Sequence, residues 1–553
     1  MIKNLFLNLL LFFTKNKVTK KFIKHNYKNF KKKNNIYSKN IILIEFNGWS
    51  FHHIVNSYLS NFWSKKYSAK IYAYPGYVLN QYTLNFFGKL KFMASNIFPI
   101  KNFLIYKSFG VSKFFYPQIS NTEKDKAFTI YKKKIKTIKS RNSILNLKID
   151  NVLIGDLIYD SYLKFYRIPT LNINDKNFKD FLLESIKSFI FWSNYLNNNK
   201  IKAIILTHAV YSGAMLMRIA LHKYKDIKVC SAGALGVYNF SKNKINPWLD
   251  FKSLRGEFKK LKPSVKKIAL KNSKIRIVKR LSGLNISDLN TPKKNQLHSN
   301  FKKRIIKKTN KTKVLIAAHC FLDSPHIFGN FLFPDFMQWF NFLAKVANST
   351  DYVWYIKAHP NFNPITYKLL KKFTNLNKKF VLLPLNYDHK QIIKEKIDFV
   401  LTVYGTVGWE YAFKGVPVIN ASKNNPHYSY NFNINPGSIG EYKKILFNLN
   451  KNKIKINKEE IQEFYFMAYV YHVVDWLFMN QKLMRKTLTN YNKSFDSSTY
   501  KTWLVNFNQD RHYKVFHNLE NFFVSKKFKI LQNHCNYSLT KDIINKMNFI
   551  PRS

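Results

Sequence analysis

The stretch that most constrains this chain is residues 398–420, DFVLTVYGTVGWEYAFKGVPVIN. Residues 398–403 form a short apolar, β-rich run, the pattern of a buried strand. Residues 404–408 carry two glycines and a threonine. A helical pattern opens at Trp409, and Gly415 stands where a helix would stop. Residues 416–420, opening on Val-Pro-Val-Ile, read as the next buried strand. Strand, glycine turn, helix start and strand make one βαβ unit. Such a unit receives a ligand at the carboxyl end of its strand, against the helix N-terminus.

The same alternation runs through the second half. Strands are expected at 314–318, 353–357 and 380–383, with helices at 336–346, 364–373 and 389–394. With the stretch above, five strands alternate with helices, the pattern of a doubly wound Rossmann-like domain. The first half repeats the theme more loosely. It has strands at 41–46, 69–74, 203–207 and 227–232, an apolar run at 152–154 that leads into a turn or helix start, helices at 180–196 and 213–224, and a mixed signal between 101 and 139. A chain of 553 residues exceeds one ordinary domain. The expected fold is therefore α/β: two Rossmann-like domains facing a cleft, with a C-terminal helical extension. The expected division is a basic N-terminal arm at 1–40, an acceptor domain at 41–290, a basic linker at 291–312, a second Rossmann-like domain at 313–455, and a helical tail at 456–553 that packs back on the domains.

The net charge of +64 points to an anionic partner: nucleic acid, an acidic membrane face or a phosphorylated substrate. A competing account is codon bias, since Lys, Asn, Ile, Phe and Tyr are enriched together; even then the surface stays basic and favours anionic lipid headgroups. Residues 5–13 are apolar apart from Asn8 but too short to span a bilayer. A lysine-dense segment follows at 15–33, and an apolar patch beside a basic one suits a peripheral membrane contact; an ordinary first helix with a solvated basic face is the alternative. The three cysteines, Cys230, Cys320 and Cys535, have neither disulfide-framework nor zinc spacing, which fits a reducing compartment.

Three loops of the second domain follow strand ends and should open on one face. They are residues 318–326, with His319, Asp323, Ser324 and His326; residues 357–360, Lys-Ala-His-Pro; and residues 404–408, with Glu410 one turn on. Gly405 and Gly408 let a phosphate approach the backbone, Thr406 adds a hydroxyl, and Glu410 can accept from ribose hydroxyls or complement the helix dipole. His359 can meet the phosphate or base of a nucleotide, with Pro360 stiffening its turn. His319, Asp323 and His326 are a weak metal pattern, and neither metal nor cofactor is expected. The 404–408 turn is neither a Walker sequence nor GxGxxG. In the first domain Asp156, Asp160 and His208 lie near strand ends; one of them could deprotonate an acceptor hydroxyl, and each could equally be a cap or turn residue.

AAHCFLDSPHIFGNFLFPDFMQWFNFL, YIKAHPNFNP and TVYGTVGWEYAFKGVPVI resemble the C-terminal half of bacterial capsular and surface-polysaccharide biosynthesis proteins, which are similar to GT-B glycosyltransferases. The likeness covers about residues 150–480 and is weaker in IGDLIYDSYLKF and THAVYSGAMLMRIAL. It implies a nucleotide-sugar donor in a cleft, with His359-Pro360 and Thr406 toward the nucleotide and Glu410 toward the ribose; His319, Lys357, Gly405 and Gly408 complete the candidate donor-binding set. It implies a metal-independent glycosyltransferase at the cytoplasmic membrane face, with a saccharide or lipid-linked saccharide acceptor. A sugar-nucleotide epimerase of the same fold, and a non-catalytic polysaccharide-binding or export protein, remain alternatives. Nucleic-acid binding rests on charge alone.

Overall fold

The computed structural model describes residues 9–30, 39–76, 86–99, 102–233, 236–246, 251–282, 303–327, 329–359, 363–451, 454–478 and 495–535. The chain divides into two compact units. The first gathers residues 1–161, 173–247 and 473–537; the second gathers residues 162–172, 248–472 and 538–553.

The first unit is built on β1 (Ile41–Phe46), β2 (Lys70–Pro75), β3 (Val111–Phe114), β6 (Ile201–Leu206), β7 (Lys228–Gly233) and β8 (Gly236–Phe240); β4 (Lys148–Ile149) and β5 (Val152–Leu153) form a separate two-stranded hairpin. The strand order is β3-β2-β1-β6-β7-β8, parallel throughout except for β8. The direction of strand succession reverses between β1 and β6, and in open α/β sheets ligands bind outside the strand ends at that point. β3 and β8 carry no strand signal in the sequence: both are short edge strands, and β3 buries only its two end residues.

The second unit carries β9 (Lys313–Ala317), β10 (Val353–Lys357), β11 (Phe380–Leu382), β12 (Phe399–Thr402) and β13 (Val418–Asn420) in the order β11-β10-β9-β12-β13, all parallel. Its reversal lies between β9 and β12. Alternating side chains feed two cores, as a sheet covered on both faces requires. Val314, Ile316, Trp354, Ile356 and Leu401 face one; Leu315, Tyr355, Val400 and Val418 face the other. Both units are thus α/β and Rossmann-like, each on a mostly parallel sheet with one reversal of strand succession.

The unit boundaries differ from the sequence expectation in three places, each for a packing reason. Residues 248–290 were assigned to the first domain, yet the helix Pro263–Leu281 belongs to the second unit. Its stripe of Val265, Ala269, Ile277 and Leu281 packs in one core with Trp409, Phe413, Phe464 and Tyr465. The lysines that made this stretch read as polar lie on its other faces. The basic arm expected at 1–40 contains a docked helix, Lys17–Phe30, which buries Phe22, Ile23, Asn26 and Phe30. The tail expected at 456–553 is shared. Lys458–Phe466 packs in the second unit, while Ser497–Asn506 and Gln509–Val524 join Lys17–Phe30 around the buried helix Ser50–Tyr67 of the first. Phe22 stacks on Tyr500 at 4.3 Å between ring centroids. His53 donates from Nε2 to the Asn47 carbonyl at 2.9 Å and meets the Tyr500 hydroxyl at 2.6 Å through Nδ1. Most of the linker at 291–312 lies outside the described residues. Among the described residues no helix is long and apolar enough to cross a membrane.

Candidate functional site

In the second unit the three loops singled out in the sequence meet above the β9/β12 reversal. His319, just past β9, is buried and ties the two strand ends together. Its Nε2 accepts the Val403 amide at 3.3 Å and lies 3.2 Å from the Thr402 hydroxyl. Its ring stacks on Phe336 at 5.0 Å and faces His359, from the second loop, at 6.5 Å. Burial and the neighbouring His359 push the His319 pKa down to about 3, so the ring is neutral at physiological pH. A neutral, doubly engaged imidazole positions the loops and carries no charge to a phosphate. His359 is half-buried at the loop edge; Pro360 lies outside the described residues.

The third loop forms the rim. Gly405 is half-buried; a side chain on it would begin 3.0 Å from Thr402 Oγ1 and 3.7 Å from His319 Cε1. Thr406 is exposed. The amides of Gly408, Trp409 and Glu410 are taken by the carbonyls of Gly405 and Thr406. Those of Gly405, Thr406 and Val407 have no partner among the described residues. The helix behind the loop, Val407–Phe413, is only seven residues long, so the expected dipole contribution gives way to these open amides. It ends at Gly415, whose positive φ of 84° suits glycine.

Gly408 faces inward. A β-carbon there would sit 2.4 Å from His427 Cε1 and 2.5 Å from its Nδ1. The His427 ring is wedged against Phe464 at 4.8 Å and cannot withdraw. Gly408→Ala is therefore expected to cost about 1–3 kcal/mol by overpacking, read as a lower melting temperature. An unchanged melt would show that the helix can shift away from His427.

Two donor-site candidates are held by structural partners. Lys357 is buried, and its Nζ donates to the carbonyls of Pro384 (3.0 Å) and Leu385 (2.7 Å). Burial lowers its pKa to about 8 against an opposing pull from Asp388. It braces the segment leading to His389, whose Nδ1 meets the Tyr411 hydroxyl at 2.7 Å. Lys357 thus uses two donors to brace this segment, a role the expected phosphate contact did not include. Glu410 is buried against Arg280, whose Nε and Nη2 both donate to Oε1, at 2.9 and 2.8 Å. That leaves Oε2 without a hydrogen-bond partner among the described residues. Burial alone would lower the Arg280 pKa; Glu410 outweighs it and the net shift is upward. Arg280 was missed because it lies 130 residues away in a stretch that reads as polar.

The first unit holds a different set of candidates. Asp156 is occupied: both oxygens pair with Arg218, at 2.5 and 2.6 Å, and Arg218 also donates to the Leu153 carbonyl. That fork engages both oxygens of Asp156 in an ion pair, where the sequence offered a candidate base or a turn residue. Asp160 is buried one turn along the same helix, Gly155–Tyr166. His208 follows β6, half-buried, its ring 4.9 Å from Trp49. The residue that sequence reading missed is Glu45, in β1. Its Oε2 accepts the Thr207 amide at 2.7 Å, Oε1 lies 3.8 Å from where a Gly213 side chain would begin, and no cation pairs with it among the described residues. Burial raises its pKa to about 7, with hydrogen bonds from Thr207 pulling the other way. Nearby Tyr211 holds φ 58° and ψ −177°, a region that glycine occupies and other residues enter at a cost of about 1–3 kcal/mol. Such strain collects at functional sites. Among the described residues no group of three or more His, Cys, Asp or Glu could hold a metal ion.

No protein-family model matches the sequence, and no curated protein matches it. Solved structures overlap it at low similarity. UDP-GlcNAc 2-epimerase from Neisseria meningitidis, bound to UDP-GlcNAc, is 10% identical with a TM-score of 0.20, covering 84% of this chain and 100% of that one. UDP-GlcNAc 2-epimerase from Methanocaldococcus jannaschii, in complex with UDP-GlcNAc and UDP, is 11% identical with a TM-score of 0.22, covering 76% and 97%. A glycosyltransferase from Rickettsia africae ESF-5 is 10% identical with a TM-score of 0.22, covering 87% and 100%. The fold assignment rests on the two sheet orders themselves.

Proposed function

We propose that the protein is a glycosyltransferase that moves a sugar from a nucleotide-sugar donor to a surface polysaccharide or its lipid-linked precursor. The observation that carries the reading is the convergence at the β9/β12 reversal: open amides at 405–407, the exposed Thr406 hydroxyl, half-buried His359 and the unengaged Oε2 of Glu410. Amides and a hydroxyl suit the phosphate oxygens of the donor; a carboxylate oxygen suits ribose hydroxyls. As the anomeric carbon–oxygen bond breaks, the nucleotide leaves with the electron pair, and the loop amides meet the charge that grows on its phosphate. In the first unit, Glu45 and His208 are the groups able to take the proton of an acceptor hydroxyl.

A thermal-shift series with UDP-, CMP- and GDP-sugars tests this. One nucleotide class is expected to raise the melting temperature; saturation at 100 times Kd adds about 2.7 kcal/mol. Thr406→Val and His359→Ala are expected to remove most of the shift without lowering the melting temperature of the free protein. Absence of a shift with all three classes would overturn the reading. Interconversion of the donor sugar with no acceptor present would replace the transferase with the epimerase.

A further inference from the structure

Residues 1–122 contain 19 lysines and one carboxylate, Glu45, which is buried. Codon bias toward lysine does not by itself empty so long a stretch of acidic groups. The structure gives this imbalance a shape. On the helix Lys17–Phe30, Phe22, Ile23, Asn26 and Phe30 point into the core, while Lys17, Lys21, Lys24 and Lys28 are exposed at spacings of three and four, one stripe along the outer face.

At the start of this stripe lies an apolar patch that the core does not use. Phe12 and Phe13 are exposed, the former by 74%. The Phe13 ring meets Phe98 edge-on at 5.7 Å, which joins this segment to a second one. There Leu90, Met93 and Ile97, again three and four apart, face outward with Phe98; Ile97 is 83% exposed. Phe92, between them, turns inward and packs on Phe46 and Phe103. Lys15 and Lys91 are exposed beside the two apolar segments. Large side chains from two separate parts of the chain, exposed together and flanked by lysines, exceed the scattered exposure usual on a soluble surface.

We propose that this face seats the protein on an anionic lipid bilayer, with the apolar side chains entering the headgroup boundary and the lysine stripe lying along the charged surface. Apolar insertion and electrostatic attraction together are what a reversible membrane contact needs. A second copy of the chain is the poorer occupant, because it would bring one lysine stripe against another. The inference is independent of the transferase reading, and failure of either leaves the other standing.

The test is co-sedimentation of the full chain with phosphatidylcholine vesicles, with and without phosphatidylglycerol. The wild type is expected to pellet with the anionic vesicles, to remain largely soluble with the neutral ones, and to be released by salt. The double variant Phe12→Glu with Ile97→Glu is expected to lose at least about tenfold in partitioning. Its melting temperature should be unchanged, since both side chains are exposed. Three results overturn the proposal: wild type that ignores anionic vesicles, a folded double variant that binds as well as wild type, or a vesicle-free dimer that this variant converts to monomer.

Discussion

Replacing Arg280 with alanine is expected to destabilise the protein by about 3–5 kcal/mol, whereas replacing Arg280 with Met and Glu410 with Leu together is expected to cost far less. The asymmetry follows from burial. Both side chains are about one-tenth exposed, and the guanidinium gives two donors to one carboxylate oxygen. The same guanidinium lies 5.8 Å from the Trp409 ring centroid, so it also fills space in an aromatic core. Alanine would leave Glu410 buried with no counter-charge and open a cavity beside Trp409. The Met/Leu pair removes both charges and keeps most of the volume. Urea denaturation of wild type, both single variants and the double variant would give the coupling energy. Additive effects would show that the pair is not coupled. The site adds a second readout. Arg280 holds Glu410 behind the glycine turn, so Arg280→Met should also abolish any nucleotide-sugar thermal shift, beyond what its stability loss explains. Glu410→Gln, which keeps the shape, is the cleaner probe of ribose binding than Glu410→Ala.

The pair also marks what could be read from the sequence. The βαβ unit at 398–420 was legible because both of its strands are buried runs and its helix is bracketed by glycines, all local signals. The convergence of the loops at 319, 359 and 405 followed from topology, since parallel strands deliver their ends to one face. What each side chain does there was not legible. Lys357 reads as a phosphate ligand until its amine is found on the carbonyls of Pro384 and Leu385. Asp156 reads as a base until Arg218, 62 residues on, takes both its oxygens. These are long-range pairings, which no local pattern encodes. Glu45 is different: a lone acid in the apolar run IILIEF had to be either paired or unusual, and that signal was available. The helix Pro263–Leu281 was hidden by its lysines, whose density masked the apolar stripe at fourth-residue spacing.

Lowering the pH from about 7.5 to about 5.5 is expected to destabilise the protein by several kcal/mol. Eight histidines are buried among the described residues, and five of them decide the sign: His52 and His53 in the first unit, and His319, His389 and His427 in the second. Desolvation is the leading cause in each, lowering His53 to about 4 and the other four to about 3. In the unfolded chain they titrate near 6.5. Between there and about pH 4 the unfolded state binds protons that the folded state refuses, so stability present above 6.5 is lost as the pH falls. One unit below 6.5, each histidine contributes a loss of about 1.4 kcal/mol. Glu45 acts with the opposite sign. Its folded pKa of about 7 lies above the unfolded value, so its contribution is full below 4.5 and is lost as the pH rises through 7. The histidines outweigh Glu45 and the half-buried Glu463, whose pKa burial also raises, and the net effect is acid sensitivity. Melting temperature followed across this range should fall. Glu45→Gln should raise it at about pH 8, where burying the carboxylate is most costly, and should steepen the fall toward acid because the most deeply buried opposing group is gone. A melting temperature that stays level down to about pH 5.5 would mean that the histidines gain protons without unfolding the chain, and would place them nearer water than their burial implies.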